Sequence, residues 1–332
     1  MKNYRVAVLG ATGAVGREML KILEEYNFPV GELLPLASPA SAGKRLPFCG
    51  GEVAVRAAEE SSFAGCDFVF GAVGNDLARR FAPAIKRAGA IFIDNSSAFR
   101  LDDGVPLVVP EINAADAFTH HGVIANPNCS TIITLMALAP LAHLSPIETM
   151  VAATYQAVSG AGVGGMRDLE NGVRAYLDHA PDTPSTFPHP IAFNLIPKIG
   201  SSKEQGYTSE EMKLQYEGRK ILHLPEMRVS CTCVRVPVMR SHSIAATAVF
   251  RDKISLDDAR AALQTAPGVK FVDDLDADLY PMPLLSSDTD TVFVGRLRQD
   301  LTNERGISLF CCGDQLRKGA ATNAVQIARL FV

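Results

Sequence analysis

The beginning of the chain restricts the possible fold more than any other segment. Residues 4–9 form a short apolar run that predicts a strand, and Gly10-Ala11-Thr12-Gly13-Ala14-Val15-Gly16 follows it directly. A helical pattern then continues to about Glu25. A strand, a glycine-rich turn and a helix open a dinucleotide-binding unit, because small residues let backbone N–H groups approach a pyrophosphate at the helix N-terminus. A tight turn with a purely structural role is the alternative.

The segment after the second predicted strand bears on the choice of dinucleotide. That strand covers residues 33–37, and Ser38-Pro39-Ala40-Ser41-Ala42-Gly43-Lys44-Arg45 follows it. A site that prefers NAD usually has Asp or Glu here to bind the ribose 2′-hydroxyl. Hydroxyl and basic side chains suit a 2′-phosphate better than an acid does, so the segment favours NADP. An ordinary polar loop is the alternative.

A further strand–helix–strand unit follows, with strands at residues 67–73 and 90–94 and a helix from about 76 to 88. This alternation predicts an α/β fold with a doubly wound parallel sheet. The segment Asn95-Ser96-Ser97-Ala98-Phe99-Arg100 follows the last of these strands. Because open α/β sheets bind ligands at the carboxyl ends of their strands, Arg100 is a candidate anion contact. A solvated surface arginine is the alternative.

A cysteine lies at a predicted strand-to-helix turn in Asn126-Pro127-Asn128-Cys129-Ser130-Thr131. An apolar, strand-like run precedes this turn, and a helical pattern covers residues 131–142 after it. Unpaired N–H groups and the helix dipole favour the thiolate at such a position. Cys129 is therefore a candidate nucleophile, with backbone N–H groups near it for an oxyanion. A buried, unreactive thiol is the alternative for any single cysteine.

The second half of the chain has longer strands and fewer helices. Strands are predicted at 148–158, 229–237, 241–251, 291–298 and 306–313, and helices at 165–177, 208–222, 256–265 and 314–330, with a Pro-rich loop at 181–197. This distribution predicts a mostly antiparallel sheet covered on one face. His242 begins one of these strands and is the best candidate for an acid/base partner of Cys129, because histidine transfers protons near neutral pH.

Composition limits the remaining classes of protein. A chain of 332 residues should form about two domains, and a net charge of −4 gives no basic footprint for nucleic acid. The longest apolar run, residues 132–141, contains Pro140 and is too short to span a bilayer. No signal peptide precedes the first strand, and none of the seven cysteines has zinc-ligand spacing. We therefore expect a cytoplasmic protein without a metal, membrane or nucleic-acid partner.

Motifs along essentially the whole chain resemble those of bacterial aspartate-semialdehyde dehydrogenases. They are GATGAVG at 10–16, SSAFR at 96–100, PNCST at 127–131, YQAVSGAG at 155–162, HPIAFNLIPKIG at 189–200, EEMK at 210–213 and RVPVMRSHS at 235–243. The resemblance implies a Rossmann-like NADP domain, residues 1–128 completed by the C-terminal helix 314–332. It also implies an α+β catalytic and dimerisation domain, residues 129–313, of the glyceraldehyde-3-phosphate dehydrogenase type.

The same resemblance implies an activity and an assembly. The expected reaction is the reversible reductive dephosphorylation of L-aspartyl-4-phosphate to L-aspartate 4-semialdehyde through a cysteine thioester. It would serve the synthesis of lysine, threonine, methionine and diaminopimelate. The small molecules implied are this substrate pair, inorganic phosphate and NADP, with NAD left open. The implied assembly is a homodimer, with a homotetramer left open.

The resemblance also assigns roles to individual positions. Cys129 corresponds to the acyl-thioester nucleophile, His242 to the general acid/base, and Gln156 to a residue that orients the substrate. The positions that correspond to substrate contacts are Arg235 for the α-carboxylate, Glu210 for the amine, Arg100 and Lys213 for the phosphate, and Asn128 beside the cysteine. The positions that correspond to cofactor contacts are Gly10, Thr12, Gly13, Ala14, Val15, Ser38, Ala40, Ser41, Ser159, Gly160 and Gln315.

Two positions depart from the pattern of the family. Relatives often have Asn where this chain has Gln315, and they commonly have an arginine on the 2′-phosphate where this chain has Ala40. Ser38, Ser41 or Lys44 is then left to contact the 2′-phosphate. Because no acid near Ser38 offers a contact to the NAD ribose, we expect weakened discrimination between NADP and NAD and not a reversal.

Two other functions stay open on the sequence. An N-acetyl-glutamyl-phosphate reductase shares the chemistry, but its nucleophile motif differs from PNCST and its substrate has no free amine to contact Glu210. A catalytically silent paralogue that binds a nucleotide or a partner would be expected to lose Cys129, His242 or Arg235, and all three are present. A cofactor-reduction assay with aspartate semialdehyde and phosphate separates these functions.

Overall fold

The computed structural model describes residues 3–332, and the chain divides into two compact units. The first unit contains the chain up to Asn128 together with Ala320–Val332, and the second contains Cys129–Gly319. Residues 314–319 therefore belong to the second unit, whereas the domain boundary predicted from the sequence placed them with the first domain. Their hydrogen bonds explain the difference, because Gln315 accepts the Ser241 N–H and Asp314 accepts from Arg240, both in the second unit.

Strands and helices alternate through the first unit and are less regular in the second. The strands are β1 Tyr4–Leu9, β2 Val30–Ala37, β3 Arg45–Phe48, β4 Gly51–Ala54, β5 Arg56–Ala57, β6 Phe68–Gly71, β7 Ile91–Asp94, β8 Val123–Ala125, β9 Ile147–Gln156, β10 Arg228–Arg235, β11 His242–Phe250, β12 Val269–Phe271, β13 Val292–Gln299 and β14 Gly306–Gly313. The α-helices are α1 Ala14–Glu25, α2 Asn75–Arg87, α3 Pro110–Asn113, α4 Cys129–Ala142, α5 Gly162–Leu177, α6 Ser209–Leu222, α7 Leu256–Thr265, α8 Pro283–Ser286 and α9 Thr322–Arg329.

The first unit is built on a parallel sheet with the strand order β5-β2-β1-β6-β7-β8. Along β1, Val6 and Val8 enter one apolar cluster, whereas Ala7 and Leu9 enter another on the opposite face. Because successive side chains of a strand alternate between faces, the apolar residues 6–9 of β1 require cover on both sides of the sheet. Residues of α1 and α9 belong to the first cluster and residues of α2 to the second. The predicted doubly wound parallel sheet is therefore confirmed.

The second unit is built on a mixed sheet with the order β10-β9-β11-β14-β13-β12. Its central pairs are antiparallel, and the outer pairs β10–β9 and β12–β13 are parallel. Helix α4 packs against this sheet and against α6 and α7, and its residues from Ser130 to Leu141 are almost all buried. A helix that is apolar all round is buried all round, which explains why this run has no polar face. The predicted fold class is confirmed.

Some elements differ from the sequence prediction. The hairpin of β3 and β4 and the short strand β12 were missed, and α4 begins at Cys129 and not at residue 131. The predicted helix over 314–330 is interrupted, because the Asp314 carboxylate accepts the Leu316 N–H at 2.9 Å and so competes with helical hydrogen bonds. A π-helical turn, Arg317–Ala321, then leads into α9. Within residues 3–332, no helix is long and apolar enough to cross a membrane.

Candidate active site

Three predicted site residues lie side by side at the ends of three neighbouring strands of the second sheet. Strands β9 and β10 are parallel neighbours that end at Gln156 and Arg235, and these two residues are partners in the register. Strand β11 runs the opposite way on the other side of β9 and begins at His242. The strand order therefore gathers an amide, a guanidinium and an imidazole, and all three side chains are buried.

The imidazole of His242 is held in one orientation by the backbone. The Ala157 N–H donates to Nδ1 at 3.1 Å, whereas the buried Nε2 atom has no hydrogen-bond partner among the described residues. Because Nδ1 accepts a hydrogen bond, the neutral ring carries its proton on Nε2. Burial, and then the positive charge of Arg235, lowers the pKa of His242 to about 3. The site therefore contains a neutral imidazole with an available Nε2–H.

The guanidinium of Arg235 is fixed by the same peptide unit. Its Nη1 atom donates to the Ala157 carbonyl oxygen at 2.7 Å, and the ring of Phe187 lies 5.7 Å from its central carbon. Burial lowers the pKa of Arg235, and the nearby Cys129 sulfur and Glu210 carboxylate oppose that shift. Ala157 thus sets the spacing between the imidazole and the guanidinium. No sequence signal marks this residue as functional, because its contribution is made entirely by backbone atoms.

The space in front of these two side chains exists because residue 160 is a glycine. A Cβ atom on Gly160 would lie 2.8 Å from Nη1 of Arg235 and 3.2 Å from Nε2 of His242. Contacts below 3.4 Å are tighter than ordinary van der Waals contact. A side chain at this position would therefore occupy the approach to both functional groups.

Cys129 is the first residue of α4 and is half-buried. A Cβ atom on Gly319 would lie 3.0 Å from the Cβ atom of Cys129, so the segment that follows β14 packs directly against the cysteine. Gln315 of that segment accepts the Ser241 N–H at 2.9 Å and donates to the Ser159 hydroxyl. Two of the predicted cofactor contacts, Ser159 and Gln315, are thus hydrogen-bonded to each other.

An amide, a carboxylate and an ammonium group form a further part of the site. Gln156 Nε2 donates to Glu210 Oε1 at 3.3 Å, and Lys213 Nζ lies 2.8 Å from Glu210 Oε2. Glu210 stands in the first turn of α6, which begins with a reciprocal capping box between Thr208 and Glu211. Glu211 also accepts the N–H of a β10 residue, Cys233, at 3.0 Å, so the capping box fixes the start of α6 beside that strand.

Hydrogen bonds hold part of the Pro-rich loop beside the guanidinium of Arg235. The Asp168 carboxylate on α5 accepts the N–H groups of Ser185, Thr186 and Phe187 at 2.7–3.0 Å. Burial raises the pKa of Asp168, but these hydrogen bonds outweigh it and the net shift is downward. The ring of Phe187 faces Arg235. Asp168 therefore positions this ring beside the guanidinium through its hydrogen bond to the Phe187 N–H.

The remaining predicted substrate contacts belong to the first unit. Arg100 is buried and donates to the backbone oxygens of Asn95 at 2.7 Å and Asn126 at 2.9 Å, which directly follow β7 and β8. The side chain of Asn126 also bonds to Asn95 and accepts from Asn323 at 2.7 Å. This asparagine network fixes the turn that precedes Asn128, which is itself buried.

The glycine-rich turn borders a cavity within the first unit. Gly10, Thr12, Gly13 and Ser38 contribute to its lining, and its volume is about 330 Å³. Gly10 has φ +89°, and a Cβ atom there would lie 2.2 Å from the carbonyl oxygen of Ala72, so this position requires glycine. Ala14 and Val15 are the first residues of α1, and no side chain from the described part of the chain caps this helix.

The fit of a dinucleotide follows from these observations. Gly13 caps α1 without a side-chain hydrogen bond to its first N–H groups, which suits a pyrophosphate at a helix N-terminus. Beyond β2, the predicted contacts Ala40 and Ser41 lie in the 3₁₀ turn Pro39–Ser41, and Ser38 precedes it without a side-chain cap. The residues present therefore fit a dinucleotide in this cavity.

Fold and site together define a dehydrogenase with separate dinucleotide-binding and cysteine-bearing units. A family model described as "Semialdehyde dehydrogenase, NAD binding domain" matches residues 5–120. Another, described as "Semialdehyde dehydrogenase, dimerisation domain", matches residues 138–318, more than half of the chain. The protein therefore falls in the semialdehyde dehydrogenase class, which is an oxidoreductase class with a nicotinamide dinucleotide cofactor.

Individual relatives narrow this class. The chain is 48% identical to the aspartate-semialdehyde dehydrogenase of Synechocystis sp., an alignment that covers 99% of this chain and 97% of the relative. Aspartate-semialdehyde dehydrogenase II of Vibrio cholerae, solved in complex with ASA, is 41% identical with a TM-score of 0.97 over 100% of this chain and 98% of that one. The Candida albicans enzyme, solved with NADP, is 25% identical with a TM-score of 0.77 over 99% and 98% of the two chains. The chain belongs to the aspartate-semialdehyde dehydrogenase family and is an enzyme of the phosphorylating aldehyde dehydrogenase type.

Proposed function

We propose that the protein interconverts L-aspartyl-4-phosphate and L-aspartate 4-semialdehyde with NADP as cofactor, through a thioester on Cys129. The observation that supports this proposal best is the buried Nε2 of His242, which lies beside Arg235 and has no hydrogen-bond partner within residues 3–332. A buried polar group without a partner costs free energy unless a ligand or water satisfies it. An oxygen that acquires negative charge during acyl transfer is a suitable partner for such a donor.

In the biosynthetic direction the sulfur of Cys129 attacks the acyl carbon of the substrate. A C–S bond forms, the C–O bond to the phosphate breaks, and inorganic phosphate leaves. When bound, the reduced nicotinamide supplies a hydride to the resulting thioester. The carbonyl oxygen then carries negative charge, and its collapse breaks the C–S bond, which releases the aldehyde and restores the thiolate. The start of α4 supports this cycle because a helix N-terminus stabilises the thiolate.

His242 serves in this cycle as a hydrogen-bond donor to the substrate oxygen. Its Nδ1 accepts the Ala157 N–H, so a second proton on the ring would face a donor and would be disfavoured. The imidazole therefore stays neutral and stabilises the oxyanion through Nε2–H in both tetrahedral steps. The family resemblance implies a general acid/base role for His242, whereas this proposal gives the residue a different role, hydrogen-bond donation from Nε2.

Arg235, Glu210 and Gln156 hold the amino acid part of the substrate. A planar guanidinium pairs with the α-carboxylate, the Glu210 carboxylate accepts from the amine, and Gln156 orients the acyl group between them. The charge on Glu210 favours a free amine and argues against an N-acetylated substrate. Lys213, Arg100 and Asn128 are proposed to hold the phosphate and acyl-phosphate atoms.

The cofactor contacts are proposed at the positions that the family resemblance assigns. The pyrophosphate is assigned to the start of α1, and the nicotinamide to a group of polar and glycine residues in the second unit. The first set is Gly10, Thr12, Gly13, Ala14 and Val15, the adenosine set is Ser38, Ala40 and Ser41, and the nicotinamide set is Ser159, Gly160 and Gln315. The hydrogen bond between Gln315 and Ser159 supports the last assignment, because it orients both polar groups together.

We also propose that the protein acts as a homodimer in the cytoplasm, in the synthesis of the aspartate family of amino acids. The match to a dimerisation domain supports self-association of the second unit. Exposed apolar side chains on β9, Val151 at 64% and Tyr155 at 39%, are suitable for contact with a second copy. Seven free cysteines suit a reducing compartment.

The nucleophile is tested by replacing Cys129 with serine. We expect Cys129→Ser to abolish reduction of NADP by aspartate semialdehyde and phosphate, because a hydroxyl lacks the nucleophilicity of a thiolate near neutral pH. Cys49→Ser, at an exposed cysteine, is the matched control and should keep full activity. Activity above about a tenth of wild type in Cys129→Ser would contradict the assignment. Turnover of N-acetyl-glutamate semialdehyde in place of aspartate semialdehyde would contradict the proposed identity of the substrate.

The carboxylate contact is tested by Arg235→Lys, which keeps the charge but loses the planar pair of donors. We expect a higher KM for aspartate semialdehyde, and a lower kcat where the misplacement reaches the thioester. Unchanged kinetic constants would show that the α-carboxylate binds elsewhere.

A further inference from the structure

We propose that Arg80 of α2 recognises the 2′-phosphate of NADP, in place of the arginine that the family resemblance implies at the position of Ala40. The inference rests on the proposed function only in that the cofactor is NADP. It identifies a specificity-determining residue that the sequence motifs do not contain. It also changes the expectation for cofactor choice, because a cation at the 2′-phosphate offsets the loss of discrimination expected from Ala40.

The cavity beside the glycine-rich turn connects the relevant segments. Gly10 and Thr12 line it at the turn, Ser38 and Pro39 line it after β2, and Arg80 lines it from α2. In a doubly wound sheet, the pyrophosphate binds at the turn and the adenosine ribose binds at the end of the second strand. Arg80 therefore borders the space that a ribose 2′-substituent would enter.

The charge of the lining favours a phosphate over a free hydroxyl. Among the described residues that line this cavity, Arg80 is the one with a charged side chain. An NAD site usually places a carboxylate on the ribose hydroxyls, and none of the lining residues that the structure describes carries a carboxylate. A 2′-phosphate carries negative charge and offers several acceptor oxygens to a guanidinium, which donates through a planar fork. The electrostatics thus match the phosphorylated cofactor.

The donors of Arg80 are also available. Among the described residues Arg80 makes no ion pair and no hydrogen bond, and its central guanidinium carbon lies 5.1 Å from the ring of Phe81. Its neighbour Arg79 is already used, because it lies 3.6 Å from Asp102 and donates to the Ala98 carbonyl. Lys44, an alternative on the sequence, is not part of the lining. Packing on an aromatic ring restrains the guanidinium while its N–H groups remain unoccupied.

The test measures nucleotide binding and does not depend on turnover. Isothermal titration calorimetry of the full chain compares 2′,5′-ADP, which carries the 2′-phosphate, with 5′-ADP, which lacks it. We expect Arg80→Ala to weaken 2′,5′-ADP by about ten- to hundredfold, the usual effect of one charge-assisted contact, and to leave 5′-ADP within about twofold. Arg80→Lys should lose only part of this effect, because it keeps the charge but not the fork. The matched control Arg79→Ala should change neither affinity.

The possible outcomes separate this inference from the proposed reaction. Equal weakening of both nucleotides by Arg80→Ala would overturn the inference, since Arg80 would then hold the adenosine and not its phosphate. Unchanged binding of 2′,5′-ADP would overturn it too, even in an enzyme that oxidises aspartate semialdehyde. Selective weakening of 2′,5′-ADP supports it, and does so even if the wild type fails to oxidise aspartate semialdehyde. That failure would overturn the proposed reaction alone.

Discussion

The substitution Gly160→Ala tests whether the space before Arg235 and His242 is the place of reaction. The added methyl group would lie 2.8 Å from Arg235 Nη1, 3.0 Å from His242 Cε1 and 3.2 Å from His242 Nε2. Ordinary contact begins at 3.4 Å, so Nη1 must retreat by about 0.6 Å and the imidazole by a few tenths of an ångström. Nη1 donates to the Ala157 carbonyl oxygen at 2.7 Å, so its displacement weakens this hydrogen bond and the orientation of the guanidinium.

The expected loss follows from that displacement. A misplacement of about 1 Å in a catalytic arrangement costs about a hundredfold in rate, so a shift of about 0.6 Å should cost roughly tenfold in kcat/KM. This corresponds to about 1.4 kcal/mol of transition-state stabilisation. The free energy of unfolding should change by less than about 1 kcal/mol, because the lower entropy of the unfolded chain, worth about 0.4–1 kcal/mol, opposes the strain of the displaced side chains. Residue 160 lies in the 3₁₀ turn Val158–Ala161, where alanine is acceptable.

The assay combines steady-state kinetics with thermal unfolding. We expect Gly160→Ala to lose activity toward aspartate semialdehyde without losing Tm. Gly51→Ala in the β3–β4 hairpin is the control, because a Cβ atom there would meet only the Phe48 carbonyl oxygen, at 3.7 Å. A Gly160→Ala enzyme with wild-type kcat/KM would refute the reasoning, and so would a loss of activity that merely follows a loss of stability.

Two further predictions concern residues that support the site. The native pKa of His242 is about 3 and its ordinary value is 6.5, so the unfolded chain binds the proton first and stability is lost as the pH falls from 6.5 towards 3. Urea unfolding should therefore show that wild type loses about 2 kcal/mol more than His242→Gln between about pH 6.5 and pH 5, and equal losses would contradict a buried neutral imidazole. Asp168→Asn should release Phe187 from its place beside Arg235 and raise KM for aspartate semialdehyde several-fold with little change in kcat, whereas an unchanged KM would show that Asp168 is only structural.

Local chemistry made much of the fold predictable. The glycine-rich turn, the alternation of strands and helices, and the cap residues before α4 gave the first sheet and the position of Cys129 at a helix start. These signals lie within a few residues of what they predict, because capping and strand patterns are local effects. The capping box Thr208–Glu211 has the same kind of signal in its T-x-x-E spacing, and it fixes the helix that carries Glu210.

The assembly of the site was not predictable in this way. His242 and Arg235 meet Gln156 only because β10 and β11 lie on opposite sides of β9, and no spacing in the sequence encodes that strand order. Family resemblance, and not periodicity, supplied their roles. Ala157 positions His242 and Arg235 through its backbone N–H and carbonyl oxygen only. Gly160 is required because it has no side chain to fill the space beside them. Neither residue therefore produces a side-chain pattern in the sequence. Arg80 was likewise not predicted from the sequence, since it lines the cavity from α2 and not from the glycine-rich turn or the segment after β2.

The central claim is that Cys129 carries the acyl group, and mass spectrometry of the trapped enzyme tests it most directly. The enzyme is mixed with aspartate semialdehyde and NADP without phosphate, quenched in acid and digested. We predict one aspartyl group in thioester linkage on Cys129, which disappears when phosphate is added before the quench and never forms in Cys129→Ser. Reduction of NADP without any adduct on Cys129, or with the aspartyl group on another residue, would contradict the account.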